Sequence, residues 1–384
     1  MSKIKILQII GSSKIGGGEK ALCSLLKYLD KTKFSVFVAC PAGGRMFEDF
    51  RRYAAEVRTF DFRNWLNPVT IISLKRYMQE RQIDIVHTHI YNADFMGLIA
   101  AALAGVRIKI ATIHGHNFFD INQFSLRGVK NFCCSFLYRI VYIFSDRIIT
   151  VCQALKQDLV TRPGIKVAEG KISVIHNGVD LEELTRKDVE TDRRLEGILT
   201  ANGQRFIGVV ANLDRAKGHR VLLKAIPDVI KNFKNVKFLF VGEGEEKAQL
   251  MKLAKKNEIE KAIIFVGAVQ DIVKVISSCE LIVLPSLSEG LPLVIMEAFY
   301  LEKPVIASRV GGVAELIKEN ETGILVSPYD HDELSKAILT VLKNKRLALE
   351  FGRKGKEIVY DKFQAREMVN QTDRFYQTLL SVYG

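Results

Sequence analysis

Short apolar runs alternate with amphipathic stretches along almost the whole chain, and the alternation breaks once and then restarts. Residues 4–10, 34–39, 83–87, 108–113, 147–151 and 172–175 read as strands. Most are apolar at consecutive positions, so both faces must be buried, which is the mark of a parallel sheet covered by helices. Residues 178–204 are polar and charged with no strand pattern. Strands then resume at 206–211, 236–241, 263–266, 281–284, 305–307 and 324–326, and helical segments run from Asp332 to about Val382. The expected fold class is α/β, with two doubly wound domains in tandem. The expected division is a first domain at 1–177, a linker at 178–204, a second domain at 205–362, and a helix at 363–384 crossing back to the first domain. In such sheets ligands sit outside the carboxyl ends of the strands.

The 384 residues carry 56 Lys+Arg against 43 Asp+Glu, a formal net charge of +13. The excess is uneven: residues 1–180 hold 25 basic and 14 acidic side chains, while 181–384 hold 31 and 29. No basic run exceeds a dipeptide. A nucleic-acid binder shows a dense basic stripe or arm, so no nucleic-acid partner is expected. A spread positive charge on a folded half fits an acidic surface or substrate. The first residues lack a secretory pattern, since Lys5 interrupts a short apolar stretch. The apolar stretch 132–144 contains Arg139 and is too short to span a bilayer. Cysteines stand at 23, 40, 133, 134, 152 and 279 with no C-x-x-C pair, which reads as reduced core thiols in a cytoplasmic protein.

Two loops carry chemistry. Gly16-Gly17-Gly18-Glu19-Lys20 follows the first strand and opens the first helix. Backbone N–H groups at a helix N-terminus bind phosphate, and glycine lets it come close, although a bare tight turn has the same appearance. The dinucleotide fingerprint and the P-loop are both absent here. The second loop runs from Pro285 through Ser286, Ser288, Glu289, Gly290, Leu291 and Pro292 into Leu293, Val294 and Glu297. Pro292 suits the first turn of a helix. That helix start can face an anion, while Glu289 and Glu297 can bond sugar hydroxyls. The plainer alternative for Glu297 is a side chain that reaches solvent or caps a neighbour.

This second segment resembles the E-x7-E motif of glycosyltransferase family 4. Lys217-Gly218, Gly242-Glu243-Gly244, Gly311-Gly312-Val313-Ala314-Glu315 and the junction His176-Asn177-Gly178-Val179-Asp180 are similar to that family's pattern as well. The resemblance covers nearly the whole chain and is strongest over 205–330. It implies the GT-B fold, two Rossmann-like domains facing across a cleft. It also implies a retaining transferase using a nucleotide-sugar, a UDP-sugar first, with no required cofactor and no metal. By the same resemblance Glu297 would bind the nucleoside ribose. Glu289, Gly290, Leu291 and His114 would contact the donor sugar. The amides of Leu293 and Val294, with Gly17 and Gly18, would cradle the diphosphate. Lys217 would neutralise the leaving diphosphate, and Gly242, Gly244 and Val266 would lie at the nucleobase. His114, Glu289 and Lys217 are the expected catalytic set. The family's arginine is replaced here by Asn212. Either Arg215 compensates for it, or Asn212 makes a neutral contact and Lys217 carries the charge alone.

His114 closes a strand, and His87 and His89 close the preceding one. With His116 they form two H-x-H pairs, which invite a metal reading. No nearby carboxylate or cysteine completes a ligand set. The plainer expectation for His87, His89 and His116 is bonding to loop backbone. The aromatic stretch 131–144, with Arg127, Lys130 and Arg139, reads as a buried helix or as a face for an acceptor and an anionic membrane surface. The resemblance implies a glycan or lipid-linked acceptor in bacterial surface polysaccharide synthesis, worked on at the inner membrane face. The competing readings are a GT-B sugar-nucleotide epimerase or hydrolase and a non-catalytic sugar-nucleotide-binding partner.

Overall fold

The computed structural model describes residues 3–64, 67–115, 139, 142–163, 165–186, 193–200 and 203–383. The chain divides into two units, Met1–Gly178 with Ala365–Gly384, and Val179–Gln364. Among the described residues the first holds seven strands: β1 (Ile4–Ile10), β2 (Phe34–Cys40), β3 (Glu56–Thr59), β4 (Ile85–His89), β5 (Ile108–Ile113), β6 (Arg147–Thr150) and β7 (Ile172–Val174). They form one sheet in the order β3-β2-β1-β4-β5-β6-β7. The pairs are parallel throughout, as in β1 with β2 and β1 with β4. The chain winds outward from β1, returns, and winds the other way from β4. The switch point therefore lies between β1 and β4, where ligands bind in such sheets.

The second unit repeats the plan. Its strands are β8 (Arg205–Val210), β9 (Val236–Val241), β10 (Ile263–Gly267), β11 (Cys279–Leu284), β12 (Val305–Ser308) and β13 (Gly323–Val326). Their order is β10-β9-β8-β11-β12-β13, so the switch point lies between β8 and β11. The expected pair of Rossmann-like domains is therefore what the chain forms.

Strand β3 was not expected from the sequence. Its four residues, Glu-Val-Arg-Thr, include one aliphatic side chain, and it lies at the sheet edge beside β2. An edge strand needs little apolar surface, so it leaves little apolar pattern. Residues 178–204, expected as a linker, contain the helices Leu181–Thr185 and Arg193–Leu199. Asp180 starts the first of these by accepting hydrogen bonds from the Glu182 and Glu183 amides.

Alternation along β1 sorts the first unit's core. Ile6 and Ile10 face one cluster with Ile85, Ile108 and Ile110, while Leu7 and Ile9 face the other. The C-terminal helix Ala365–Tyr383 joins the first cluster through Met368, Val369, Tyr376 and Leu379. Tyr376 meets the Phe34 ring edge-on, with centroids 6.0 Å apart. At the boundary the Val179 amide bonds the Phe363 carbonyl at 2.8 Å, so the segments entering and leaving the second unit run side by side.

Candidate functional site

In the second unit the segment after β8 turns sharply. Asp214 accepts a hydrogen bond from the Lys217 amide at 3.2 Å and so closes the short turn Arg215–Lys217. Gly218 follows with φ 64°, and a Cβ built there would lie 1.8 Å from the Pro285 carbonyl oxygen. The Leu287 amide bonds the Ala216 carbonyl at 2.7 Å. The loops after β8 and β11 are thus clamped together at the switch point.

That clamp aims Lys217 at Glu289. The Lys217 Nζ donates to Glu289 Oε1 at 2.7 Å, and Ser286 Oγ donates to the same oxygen at 2.7 Å. Glu289 and Ser286 are buried. Burial by itself would lower the Lys217 ammonium pKa. The Glu289 carboxylate, with Asp214 behind it, outweighs this and raises it. The lysine is therefore charged through the physiological range. The Glu289 backbone is held from the other side, where the Gly312 amide bonds the Gly290 carbonyl at 2.8 Å. Gly311 has φ 51°, and a Cβ there would stand 1.9 Å from the Glu289 carbonyl oxygen.

The helix Leu293–Tyr300 starts directly after this loop. Pro292 occupies the capping position rather than the first turn, one residue earlier than expected. Leu293 and Val294 supply the first helical amides, which have no partner one turn earlier in the helix and form an anion-seeking end. Glu297 is buried one turn further along. Leu291 is buried beside Gly290.

The remaining expected residues fall nearby in the chain, with their own contacts. Asn212 is exposed. Arg215 turns to Glu246, with Nε 3.4 Å from Oε1, and Arg220 takes the other oxygen at 2.6 Å. Arg215 is thus engaged with a carboxylate other than Glu289. Gly242 and Gly244 sit against the segment after β8, where the Leu213 amide bonds the Glu243 carbonyl at 3.0 Å. Val266 is buried near the end of β10.

In the first unit the helix opens at Gly17, with Gly16 as its extended cap, so Gly17 and Gly18 are its first two residues. A Cβ at Gly18 would lie 3.3 Å from His114 Cγ. The His114 ring therefore rests against the open end of this helix. Glu19 curls back over Gly16 and is buried, which raises its carboxyl pKa despite a hydrogen bond with Ser12.

His87 and His89 bond side chains rather than loop backbone, which corrects the plainer expectation for those two. His89 Nδ1 lies 3.0 Å from His114 Nε2, and His89 Nε2 lies 2.7 Å from Gln8 Oε1. His87 Nδ1 is 2.6 Å from Tyr376 Oη, and its Nε2 is 2.6 Å from Thr112 Oγ1. Gln8 Nε2 donates to Tyr376 Oη at 3.0 Å. Strand register explains this convergence. Gln8 pairs with His87, and His89 pairs with Thr112. All of them share the face that Ile6, Ile85, Ile108 and Ile110 occupy further back. Burial pushes His87 down to about 3, His114 to about 4, and His89 well below its usual value. Among the described residues no three His, Cys, Asp or Glu side chains gather as a metal site. His116, Arg127, Lys130, Cys133, Cys134 and most of the 131–144 stretch lie outside the described residues. Glu19, Gln8 and Tyr376 received no role from the sequence, although an amide inside the apolar run Ile4–Ile10 was a visible signal.

The buried imidazoles set an acid limit on stability. Each is neutral when folded and titrates near its ordinary value when unfolded, so the unfolded state binds more protons below about pH 6.5. Folding stability should fall as pH drops from 7 to 5, by about 2 kcal/mol for each such histidine. Asp94 acts in the opposite sense. Burial beside Thr88 pushes it up to about 7, so it favours the folded state on acidification across the same window. Glu19 and Asp214, raised by burial, act with Asp94. His219, lowered to about 4 by burial, acts with the other three histidines, and the four together should prevail. Urea unfolding midpoints at pH 7 and pH 5 check this, and an equal or higher midpoint at pH 5 contradicts it.

Two parallel sheets on one chain, each with its own switch point, are the plan of the GT-B fold. The family model for Glycosyl transferases group 1 matches residues 191–358, and that for Glycosyltransferase Family 4 matches residues 15–183. The chain belongs to glycosyltransferase family 4. It is 28% identical over 360 residues to an Escherichia coli UDP-Gal:alpha-D-GlcNAc-diphosphoundecaprenol alpha-1,3-galactosyltransferase, covering 90% of each chain. It is 24% identical over 335 residues to a Campylobacter jejuni N,N'-diacetylbacillosaminyl-diphospho-undecaprenol alpha-1,3-N-acetylgalactosaminyltransferase, covering 86% of this chain and 87% of that one. Its fold resembles that of Anabaena HepE in complex with UDP-glucose, with a TM-score of 0.81 at 21% identity over 98% of this chain and 100% of that one.

Proposed function

We propose that this chain moves a hexosyl or N-acetylhexosaminyl residue from a UDP-sugar, with retention at the anomeric carbon, to a glycan or lipid-linked saccharide of a bacterial surface polysaccharide. One observation carries the reading: a charged, half-buried Lys217 held on Glu289 beside the open N-terminus of the Leu293–Tyr300 helix. A glycosyl transfer of this kind develops negative charge on the departing diphosphate and positive charge on the sugar. Lys217 and the amides of Leu293 and Val294 stabilise the first. Glu289, Gly290 and Leu291 hold the sugar, and Glu297 holds the ribose hydroxyls. His114 meets a sugar hydroxyl, and Gly17 and Gly18 leave their helix end open to phosphate. Gly242, Gly244 and Val266 border the base. With Arg215 given to Glu246 and Asn212 uncharged, Lys217 is the cation on the leaving group in this reading. The UDP donor and the lipid-linked acceptor are supported by the relatives named above. The basic excess of residues 1–180 suits an anionic acceptor or membrane surface at the cytoplasmic face. No helix among the described residues is long and apolar enough to cross a membrane.

A thermal-shift screen of UDP-, GDP-, ADP- and CMP-sugars tests the donor. A UDP-sugar at about 100 times its dissociation constant should stabilise the fold by about 2.7 kcal/mol. Selective stabilisation by another nucleotide overturns the choice of UDP, and no shift with any of them overturns the donor reading. The anomeric proton coupling of the product then distinguishes retention from inversion.

A further inference from the structure

The hydrogen bonds around His114 leave one consistent placement of protons. Gln8 Oε1 can only accept, so His89 carries its hydrogen on Nε2. A neutral His89 then has a bare Nδ1, which accepts a hydrogen from His114 Nε2. On the other side Gln8 Nε2 donates to Tyr376 Oη, so the phenol hydrogen goes to His87 Nδ1. His87 Nε2 then donates to Thr112 Oγ1. Turning the Gln8 amide over would reverse the sequence and put a hydrogen on His114 Nδ1. That atom is buried and has no hydrogen-bond partner among the described residues. A buried unpaired N–H is worse than a buried unpaired lone pair, so the first arrangement wins.

We propose that Gln8, His89 and Tyr376 are positioning residues that hold His114 as the tautomer protonated on Nε2, with a bare Nδ1 lone pair beside Gly18. The relay runs from the strand β1, through β4 and β5, to the C-terminal helix, and Gln8 and Tyr376 stand 368 residues apart. Its consequence deepens the proposed function and rests on His114 being a sugar contact. The only hydrogen-bonding capacity left to the ring is that of an acceptor. His114 therefore has no free N–H to give and does not serve as a proton donor.

The test reads the tautomer directly and needs no donor or acceptor, so it stands or falls apart from the proposed activity. The full chain is labelled with 15N, and long-range proton–nitrogen correlations of the imidazoles are recorded at pH 7. The His114 signals are assigned by their loss in His114→Gln. The expected result is an unprotonated Nδ1 and a protonated Nε2 on His114. Gln8→Leu should mix or reverse this pattern, whereas Gln8→Glu, which keeps an acceptor for His89 Nε2, should retain it. Tyr376→Phe should move the His87 signals most. A wild-type His114 protonated on Nδ1 overturns the proposal, and that spectrum decides even if Gln8→Leu does not fold. An unchanged His114 tautomer in a folded Gln8→Leu overturns it equally.

Discussion

Replacing Lys217 by Met should lower turnover by about 100- to 1,000-fold, the usual cost of removing one preorganised group from a developing anion. The same change strands a buried carboxylate, because Lys217 Nζ and Glu289 Oε1 are 2.7 Å apart and Glu289 is buried. Breaking such a pair from one side costs about 3–5 kcal/mol of stability. Lost turnover and lost folding would then be confused. The double variant Lys217→Met with Glu289→Gln, read against Glu289→Gln alone, separates them. It removes both charges and keeps a side chain that bonds Ser286, so most of the stability should return while turnover stays low. Urea midpoints and donor turnover on the three variants measure this. Recovery of turnover in the double variant would show that the lysine serves folding and not the leaving group.

Gly218→Ala should destabilise the second unit by about 3 kcal/mol, with φ 64° disfavouring any side chain and the new carbon forced to 1.8 Å from the Pro285 oxygen. Backbone on both sides of that contact is tied, by the Asp214 bond to the Lys217 amide and by the Leu287 bond to Ala216. The chain can yield only by moving the Lys217 loop away from the β11 loop. Turnover should fall along with stability, because Lys217 and Glu289 part. Gly17→Ala is the control: a Cβ there meets nothing within 4 Å, so its unfolding midpoint should hardly move. A Gly218→Ala midpoint equal to wild type would mean that the two loops are not clamped.

The legible part of this molecule was its periodicity. Strands β1, β5 and β9 have the bounds that their apolar runs suggest, because a strand buried on both faces is mostly apolar at consecutive positions, with only Lys5, Gln8, Lys109, Thr112 and Lys237 breaking the pattern. Edge strand β3 and the short helices after Asp180 were not legible, since half-exposed elements carry too little apolar contrast. The helix starting at Leu293 was visible through Pro292, although the proline proved to be the cap. Arg215 shows the limit of reading along the chain. Its nearness to Lys217 in sequence says nothing about direction, and Glu246, 31 residues on, takes its side chain.

From the sequence by itself come the α/β class, the two-sheet division, the loops that bear glycine and glutamate, and a resemblance that named the family. These are local properties, fixed by which residues can sit in a buried strand, open a helix, or turn a corner. Only the tertiary structure joined Lys217 to Glu289 across 72 residues, seated Gly218 under the Pro285 carbonyl, and threaded Gln8 and Tyr376 to one imidazole cluster. Such contacts depend on which strands become neighbours and in what register. Parallel pairing across long connections leaves no local trace of that choice.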